Sequence, residues 1–283
     1  MANDFEPNED HKQNQLSFLE HLEVLRWILM RIVIVVSVLA VVVFIYRKFV
    51  MTEIVFASQS MDFVTYGWFC DFSSMLNSFL PDYFDKDGMC FSPIDPYFLP
   101  GKITGEFMTA MLVSLIGGGI IGFPYIIWEF WSFLSPALYP NEKKSAKGMV
   151  FFSSVLFILG ILFGYYIINP LSVHFLIDFN MGFEKVVKQY QLSSFMGIVV
   201  STTLATGVMF ELPILVYFLS KAGLVTPEFM RKYRKHSFIL TLLISAIITP
   251  PDVFSQILVT IPIIILYEIS ILISSSIHKR RFN

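Results

Sequence analysis

Residues 192–220 read LSSFMGIVVSTTLATGVMFELPILVYFLS, and this stretch decides the fold class. Its one charged residue is Glu211. A helix needs roughly 20 apolar residues to cross about 30 Å of hydrocarbon, so the run is long enough to span a membrane. Pro213 follows two residues after Glu211 and deprives the helix of a hydrogen bond, which predicts a kink near residue 209. A carboxylate inside such a run usually faces a bundle interior or a polar cavity and marks function.

The whole chain has the composition of a membrane protein. Of its 283 residues, 55% are hydrophobic and 15% are charged, and the mean hydropathy is +0.67. A soluble domain is about 25% charged. The net charge of -2 provides no general attraction for nucleic acid. The first residues are polar and partly acidic and do not resemble a secretory signal peptide, so we expect the chain to insert through its own first span.

Three further runs are long enough to span, and the last apolar region is divided. The runs are residues 27–46, 107–128 and 148–169. Residues 237–249 end at Pro250-Pro251, and residues 253–276 follow with Glu268 inside them. We interpret these two segments as short spans joined by a tight turn, where the bilayer is locally thin. A re-entrant hairpin is the alternative. The sequence thus predicts an all-α polytopic membrane protein with six transmembrane helices, short last two spans and a concave bundle.

The placement of Lys and Arg predicts the orientation. With the N-terminus inside, 14 of the 20 basic residues lie on one side of the membrane and 6 on the other. Cytoplasmic loops carry the excess of basic residues, so we expect both termini in the cytoplasm. The predicted organisation is a polar tail at residues 1–16, a six-span domain at residues 17–276 with an outer loop at residues 49–106, and a basic tail at residues 277–283. A shorter outer loop is expected around residues 178–191.

The two cysteines, Cys70 and Cys90, both lie in the predicted outer loop. Paired cysteines in an oxidising compartment are candidates for a disulfide. Such a bridge would close part of this long loop.

The sequence contains no familiar catalytic or metal-binding pattern. The five His are scattered, and no H-E-x-x-H, C-x-x-C, G-x-S-x-G or phosphate-binding loop occurs. We therefore expect no enzyme activity and no cofactor. A secondary transporter is the alternative function, with Glu211 as a proton-coupling group, but it predicts inverted repeats that the two halves do not show. An intramembrane hydrolase needs a base near a buried nucleophile, whereas His174 and His236 lie near the predicted membrane surfaces.

Four short motifs occur in order along the chain: HLEVLR at residues 21–26, WSFLSPALYPNEKK at 131–144, FELPI at 210–214 and ITPPDVFSQ at 248–256. Together they resemble the TatC family of twin-arginine protein translocase subunits, over about residues 17–276. The resemblance implies a receptor in the bacterial inner membrane that binds Arg-Arg signal peptides. It also implies that the protein gathers small single-span subunits of the TatA and TatB type and moves folded proteins with the proton-motive force.

The resemblance gives Glu211 a role inside the membrane. In the family, the Glu of the FELPI motif lies on a concave face and belongs to a polar cluster that contacts partner helices. It implies that Glu211, with Thr206 and Pro213, forms a docking site for a polar side chain of a partner. From the residues alone, Glu211 could instead be a neutral acid that joins two helices by a hydrogen bond.

The resemblance assigns signal-peptide recognition to the cytoplasmic face. Glu142 matches one of the acids that hold the arginines, since a carboxylate accepts a guanidinium bidentately. Read without the resemblance, Glu142 is a solvated acid beside Lys143 and Lys144. Phe133 is expected to shape the same patch, and Arg26 belongs to it as the last residue of HLEVLR.

The chain departs from the family pattern at Val24, where relatives usually carry the first signal-binding Glu. Glu20 lies one turn earlier on nearly the same helix face, but it forms a predicted capping box with Ser17. Glu23 lies at nearly the expected depth, rotated by about 100°. We predict that Glu23 acts with Glu142, and Glu20 is the alternative.

Three other acids have weaker interpretations. Glu129, at the cytoplasmic end of the second span, either strengthens the acidic patch or faces water. Asp252 is expected to cap the last helix at its N-terminus. Glu268 receives no predicted role.

Overall fold

The structure is a computed structural model that describes residues 18–59, 63–79, 90, 98–99, 103–134, 146–178, 190–249 and 253–282. These residues are almost entirely helical, as predicted. The helices are α1 (Phe18–Ile45), α2 (Arg47–Phe49), α3 (Val64–Phe79), α4 (Gly105–Leu134), α5 (Ala146–Phe163), α6 (Asn169–Asp178), α7 (Leu192–Met209), α8 (Leu212–Lys221), α9 (Pro227–Lys232), α10 (Arg234–Ile248) and α11 (Val253–Phe282). Two π-helical segments (Val50–Val55, Gly164–Ile168), a 3₁₀ turn (Phe56–Gln59) and two short strands, β1 (Phe98–Leu99) and β2 (Tyr190–Gln191), complete the described elements.

Five stretches of helix are long and apolar enough to cross a membrane. They are Leu22–Ile45, Gly105–Phe133, Gly148–Ile177, Leu192–Lys221 and Ser255–Lys279. Each contains or overlaps a run that the sequence predicts as a span. The protein is therefore a multi-pass membrane protein.

The last two predicted spans differ in length. α10 has 15 residues and reaches about 22 Å, less than the roughly 30 Å of a hydrocarbon core. α11 has 30 residues, so the prediction that both final spans are short is wrong for the last one. Glu268 does not interrupt α11, and its Oε2 lies 2.6 Å from an Arg234 guanidinium nitrogen of α10.

The predicted kink occurs where Pro213 lies. α7 ends at Met209, Phe210 and Glu211 form a turn, and α8 begins at Leu212. Pro213 has no amide hydrogen and is best accommodated in the first turn of a helix, as it is in α8. The fourth span is thus two helices with Glu211 at their junction.

Glycines allow the helices to approach closely at two contacts. A Cβ on Gly118 of α4 would lie 2.6 Å from the Ala40 backbone nitrogen of α1. A Cβ on Gly160 of α5 would lie 2.7 Å from the Thr206 carbonyl oxygen of α7. Close backbone approach through small residues is the usual way in which membrane helices associate, because lipid provides no hydrophobic drive between them. Gly118-x-x-x-Gly122 and Gly160-x-x-x-Gly164 are the sequence patterns behind these contacts.

The predicted outer loops contain ordered structure and meet at one end of the bundle. β1 pairs with β2 in parallel, with Phe98 opposite Tyr190, so the two loops lie on the same side. Thr65 Oγ1 of α3 donates a hydrogen bond to the Tyr166 carbonyl at 2.5 Å. Burial raises the pKa of the Tyr66 hydroxyl, which donates to the Ser58 carbonyl at 3.0 Å. α3 therefore packs onto the end of the third span.

Cys70 of α3 is joined to Cys90 by a disulfide, with their Cα atoms 4.4 Å apart. The bond ties the first half of α3 to a position twenty residues later in the same outer segment.

Candidate functional site

Glu211 lies at the junction of α7 and α8, where it meets α5. Ser153 Oγ donates a hydrogen bond to Glu211 Oε2 at 2.6 Å. Gly160 of α5 lies against Gly207 of α7, and Ser153, earlier in the chain than Gly160, lies against Glu211, later than Gly207. α5 and α7 are therefore antiparallel. Glu211 lies ten residues before Lys221, the last residue of α8, which is a distance of about 15 Å along the helix. The carboxyl group thus lies near the middle of the span.

The second oxygen of this carboxyl group, Glu211 Oε1, is buried and accepts no hydrogen bond within the part of the chain that the structure describes. A buried acceptor without a donor costs roughly 1–3 kcal/mol relative to a satisfied one. Glu211 therefore carries one unsatisfied acceptor near the middle of the span.

Thr206 and Pro213, which are predicted to act with Glu211, are buried in the bundle, and their contact with a partner stays a prediction. The Thr206 side chain is 2% exposed, and its Oγ1 donates to the carbonyls of Thr202 and Thr203 at 2.9 Å each. Pro213 is buried as well. Thr206 packs against Gly164, and Pro213 sets the start of α8. Both residues thus position Glu211 from inside the bundle.

Two threonines of the fourth span join it to other helices. Thr202 and Thr203 are buried, whereas Ser201 is exposed. Asn169 is fully buried, and its Nδ2 donates to Thr203 Oγ1 at 2.7 Å and to the Val199 carbonyl at 3.2 Å. Thr202 Oγ1 donates to the Ile248 carbonyl of α10 at 3.5 Å. These hydroxyl groups therefore form internal helix contacts.

Sequence reasoning missed the third-span partners of this region. Asn169 follows the apolar π-helical segment, and its amide could have indicated a helix contact, since an amide in a span hydrogen-bonds to a neighbouring helix. Ser153 carries no such signal, because serine is common in membrane helices and often bonds to its own backbone. Only the packing of α5 on α7 and α8 selects it.

The N-terminal end of α1 meets the C-terminal end of α4. Ala40 lies against Gly118, Leu39 against Gly122, and Arg31 against Glu129, so the two helices are antiparallel in constant register. Continued by about two turns, this register brings Glu23 and Arg26 to the level of Phe133, at the end of α4. The Trp131 ring contacts Phe218 of α8 at 4.8 Å between centroids, so the end of α8 lies at the same level.

The predicted signal-binding residues on α1 are accessible. Glu23 and Arg26 are exposed, as is Val24, which occupies the position of the missing acid. Phe133 is half-buried at the end of α4. Glu20 lies in the first turn of α1, but its side chain is outside the described residues. Glu142, Pro136 and Asp252 also lie outside them.

Glu129 is buried, so the predicted alternative that it faces water is wrong, and the alternative that it strengthens the acidic patch stays a prediction. Glu129 is 7% exposed, and the Tyr125 hydroxyl donates a hydrogen bond to its Oε1 at 2.6 Å. An Arg31 guanidinium nitrogen lies 3.8 Å from the same oxygen. Glu129 thus joins α4 to α1 inside the bundle.

The described residues contain no cluster of three or more His, Cys, Asp or Glu side chains that could hold a metal ion.

Comparison with known proteins gives one consistent match. The family model for TatC, the Sec-independent protein translocase protein, matches residues 20–262. The TatC protein of Blattabacterium sp. subsp. Periplaneta americana is 34% identical over 272 residues, which is 96% of this chain and 99% of that protein. The TatC protein of Aquifex aeolicus is 36% identical over 212 residues, covering 74% and 83% of the two chains. The crystal structure of the twin arginine translocase receptor TatC superposes with a TM-score of 0.65 at 30% identity, over 91% of this chain and 99% of that one.

Proposed function

The chain belongs to the TatC family of Sec-independent protein translocase proteins, and from this premise we propose that it is the signal-peptide receptor of a twin-arginine translocase. As a family member it is a core subunit of that translocase and a multi-pass protein of the bacterial inner membrane. The proposal adds that it binds Arg-Arg signal peptides and recruits small single-span subunits of the TatA and TatB type. Folded precursors then cross with the proton-motive force, without catalysis by this chain.

The antiparallel register of α1 and α4 carries the receptor proposal. It brings the exposed end of α1, with Glu23 and Arg26, to the end of α4 from which the segment containing Glu142 continues. Two carboxylates at one membrane surface suit a pair of guanidinium groups, since each accepts two parallel hydrogen bonds. Lysine offers only a point charge, so such a site distinguishes Arg-Arg from Lys-Lys.

The experiment that tests the receptor function is export in cells that lack their own TatC. The chain should restore export of a folded reporter with an Arg-Arg signal and leave a Lys-Lys version behind. Failure with both signals, in cells where the protein is inserted and stable, would refute the proposal.

Glu142 is proposed as one of the two acids that hold the arginines. Glu142→Gln should weaken signal-peptide binding by about ten- to a hundred-fold, because one charge-assisted contact is lost. Photo-crosslinking to an Arg-Arg signal peptide measures the loss. Crosslinking equal to that of the unaltered chain would remove Glu142 from the site.

Glu23 is proposed as the second acid, in place of the residue absent at Val24. Glu23→Gln should abolish Arg-Arg selectivity in the export assay, while Glu20→Gln should retain it. The reverse result would assign the role to Glu20, on the face of Val24. If neither change matters, recognition rests on Glu142.

Glu211 is proposed as the acceptor for a polar side chain of a small partner subunit. Its unpartnered Oε1, held at mid-membrane depth by the Ser153 hydrogen bond to Oε2, supports this role. Because Glu211 lies far from the cytoplasmic surface, its loss should spare signal-peptide binding while partner assembly fails.

The proposed topology has six spans with both termini in the cytoplasm. α10 as a short span, the pairing of β1 with β2 on one side, and the distribution of basic residues support it. Reporter enzymes that are active only inside or only outside the cell, fused at the C-terminus, test the orientation.

A further inference from the structure

The start of α10 concentrates positive charge that the proposed function does not use. Arg231 and Lys232 end α9, and Arg234 and Lys235 begin α10. All four residues are exposed, and the first turn of α10 contains no acid. Cations at a helix N-terminus add to the positive end of the helix dipole, where they are unfavourable. An anion is therefore favoured at this point.

The carboxylates of the chain compensate only part of this charge. Glu268 of α11 pairs with Arg234 at 2.6 Å. The Lys232 ammonium lies 6.0 Å from the centre of the Tyr233 ring. Lys235 forms no ion pair with any residue in the described ranges. One cation at the start of α10 thus remains available to a ligand.

A groove of about 450 Å³ begins at these charges and continues between α10 and α11. Arg234, Lys235 and Glu268 line its charged end. Away from the Arg234–Glu268 pair, Phe238, Ile239 and Ile264 give the groove an apolar lining, beside the polar side chains of Ser237, Thr241 and Tyr267. The groove therefore changes from charged to apolar along its length, as an amphiphilic ligand does.

The neighbouring part of α11 carries no charge. α11 continues for nine residues beyond Glu268 without a charge, from position 269 to 277, and Lys279 is about 16 Å further along the helix than Glu268. The cations of α10 thus lie at the start of a helix that is too short to cross the hydrocarbon core, beside an uncharged part of α11. A lipid headgroup brings a negative charge to such a place and keeps its acyl chains next to the apolar part of the groove.

We propose that this groove binds an anionic phospholipid, with the phosphate at Lys235 and an acyl chain along Phe238, Ile239 and Ile264. A basic pocket between membrane helices is the general form of such a site. A zwitterionic lipid carries no net negative charge and is the weaker ligand. The site requires only that the protein lies in a membrane, so it is independent of signal-peptide recognition and of docking at Glu211.

The test is native mass spectrometry of the purified full chain titrated with phosphatidylglycerol or phosphatidylcholine. Lys235→Gln should lower the affinity for phosphatidylglycerol by about fivefold, the expected effect of one basic residue at a lipid surface. Lys232→Gln is the matched control, since it removes the same charge two residues before α10 but Lys232 does not line the groove. Its effect should be less than about twofold.

A second variant tests the apolar part of the groove without a change of charge. Ile264→Trp fills the space between α10 and α11 and should reduce retention of phosphatidylglycerol, while the melting temperature stays near that of the unaltered chain. Unchanged retention in this variant would overturn the acyl-chain contact and with it the proposal.

Four other outcomes would also overturn the proposal. Equal losses for Lys235→Gln and Lys232→Gln would indicate general attraction to a basic surface. Equal affinity for the two lipids would remove the charge preference. Displacement of the lipid by inorganic phosphate would indicate a site for a soluble anion. A photo-crosslinker at Phe238 that attaches to a single-span partner subunit, and to no lipid, would identify the groove as a protein interface.

Discussion

Glu129 and Glu211 both belong to membrane-spanning stretches, and the protein holds their carboxyl groups in opposite ways. Glu129 of α4 receives the Tyr125 hydroxyl at 2.6 Å and has Arg31 at 3.8 Å, all within the α1–α4 contact. Glu211, between α7 and α8, receives only Ser153 on one oxygen, and its other oxygen is buried without a donor among the described residues. Glu129 therefore has partners from its own and a neighbouring helix, whereas Glu211 has an unused acceptor.

The difference supports the proposal that Glu211, and not Glu129, docks a partner. A buried polar group costs free energy unless it is hydrogen-bonded. Glu129 meets this requirement within the chain. Glu211 Oε1 has no donor among the described residues, and a donor from a partner helix that reached this oxygen would remove the cost. The local partners thus distinguish two acids that composition alone makes equivalent.

The largest effect is expected on assembly with the small partner subunits. Glu211→Ala should reduce their co-purification by about tenfold or more, because a charge-assisted or strong hydrogen bond in a dry site is lost. Glu129→Gln should retain them, since the Tyr125 hydroxyl can still donate to the amide oxygen. Equal losses in the two variants would end the distinction between the acids.

The next effect concerns the glycine contacts that bring each acid to its partner. Gly118→Ala places a Cβ 2.6 Å from the Ala40 nitrogen and should lower the free energy of unfolding by about 1–3 kcal/mol. Gly119→Ala is the matched control, because its Cβ meets nothing within 4 Å. Thermal unfolding in detergent measures both. An equal change in the two variants would show that backbone approach at Gly118 is unimportant.

The same experiment on α5 sharpens the comparison. Gly160→Ala places a Cβ 2.7 Å from the Thr206 carbonyl oxygen, in the contact that supports Glu211. It should therefore reduce both stability and partner co-purification, whereas Gly118→Ala should reduce stability alone. If Gly160→Ala is destabilised but still co-purifies normally with the partner subunits, the α5–α7 contact is not needed for docking.

A smaller effect is expected from the hydroxyl donors. Ser153→Ala leaves both oxygens of Glu211 without a donor, at a cost of about 1 kcal/mol. Tyr125→Phe leaves Glu129 with Arg31, so its melting temperature should fall by less than that of Ser153→Ala. A larger fall in melting temperature for Tyr125→Phe than for Ser153→Ala would mean that Glu129, and not Glu211, depends more on its hydroxyl donor.

The smallest effect is expected from Thr206→Val. The side chain keeps its branched shape and loses only hydrogen bonds to carbonyls of its own helix, so stability should change by less than about 0.5 kcal/mol. Co-purification of the partner subunits should be unchanged, because Thr206 is buried against α5. Loss of partners in this variant would restore the direct contact that the burial of Thr206 argues against.

Much of the fold follows from short-range features of the sequence. The length of an apolar run sets whether a helix can span, and Pro213 sets where the fourth span divides. Pro250-Pro251 ends α10 early, as predicted. The length of α11 was mispredicted, because a charge at Glu268 looks like an interruption until its partner Arg234, thirty-four positions earlier, is known.

The sequence by itself also determined the family, since four motifs in order are specific to it, and it singled out Glu211 as a carboxylate inside an apolar run. Only the tertiary structure decided what that carboxylate touches, that Thr206 faces inward and that Glu129 is enclosed. The physical reason is that a side chain's partners lie on helices distant in sequence. Which faces meet depends on where glycines such as Gly118 and Gly160 let two backbones approach, and this is a property of pairs of helices that no single run of residues contains.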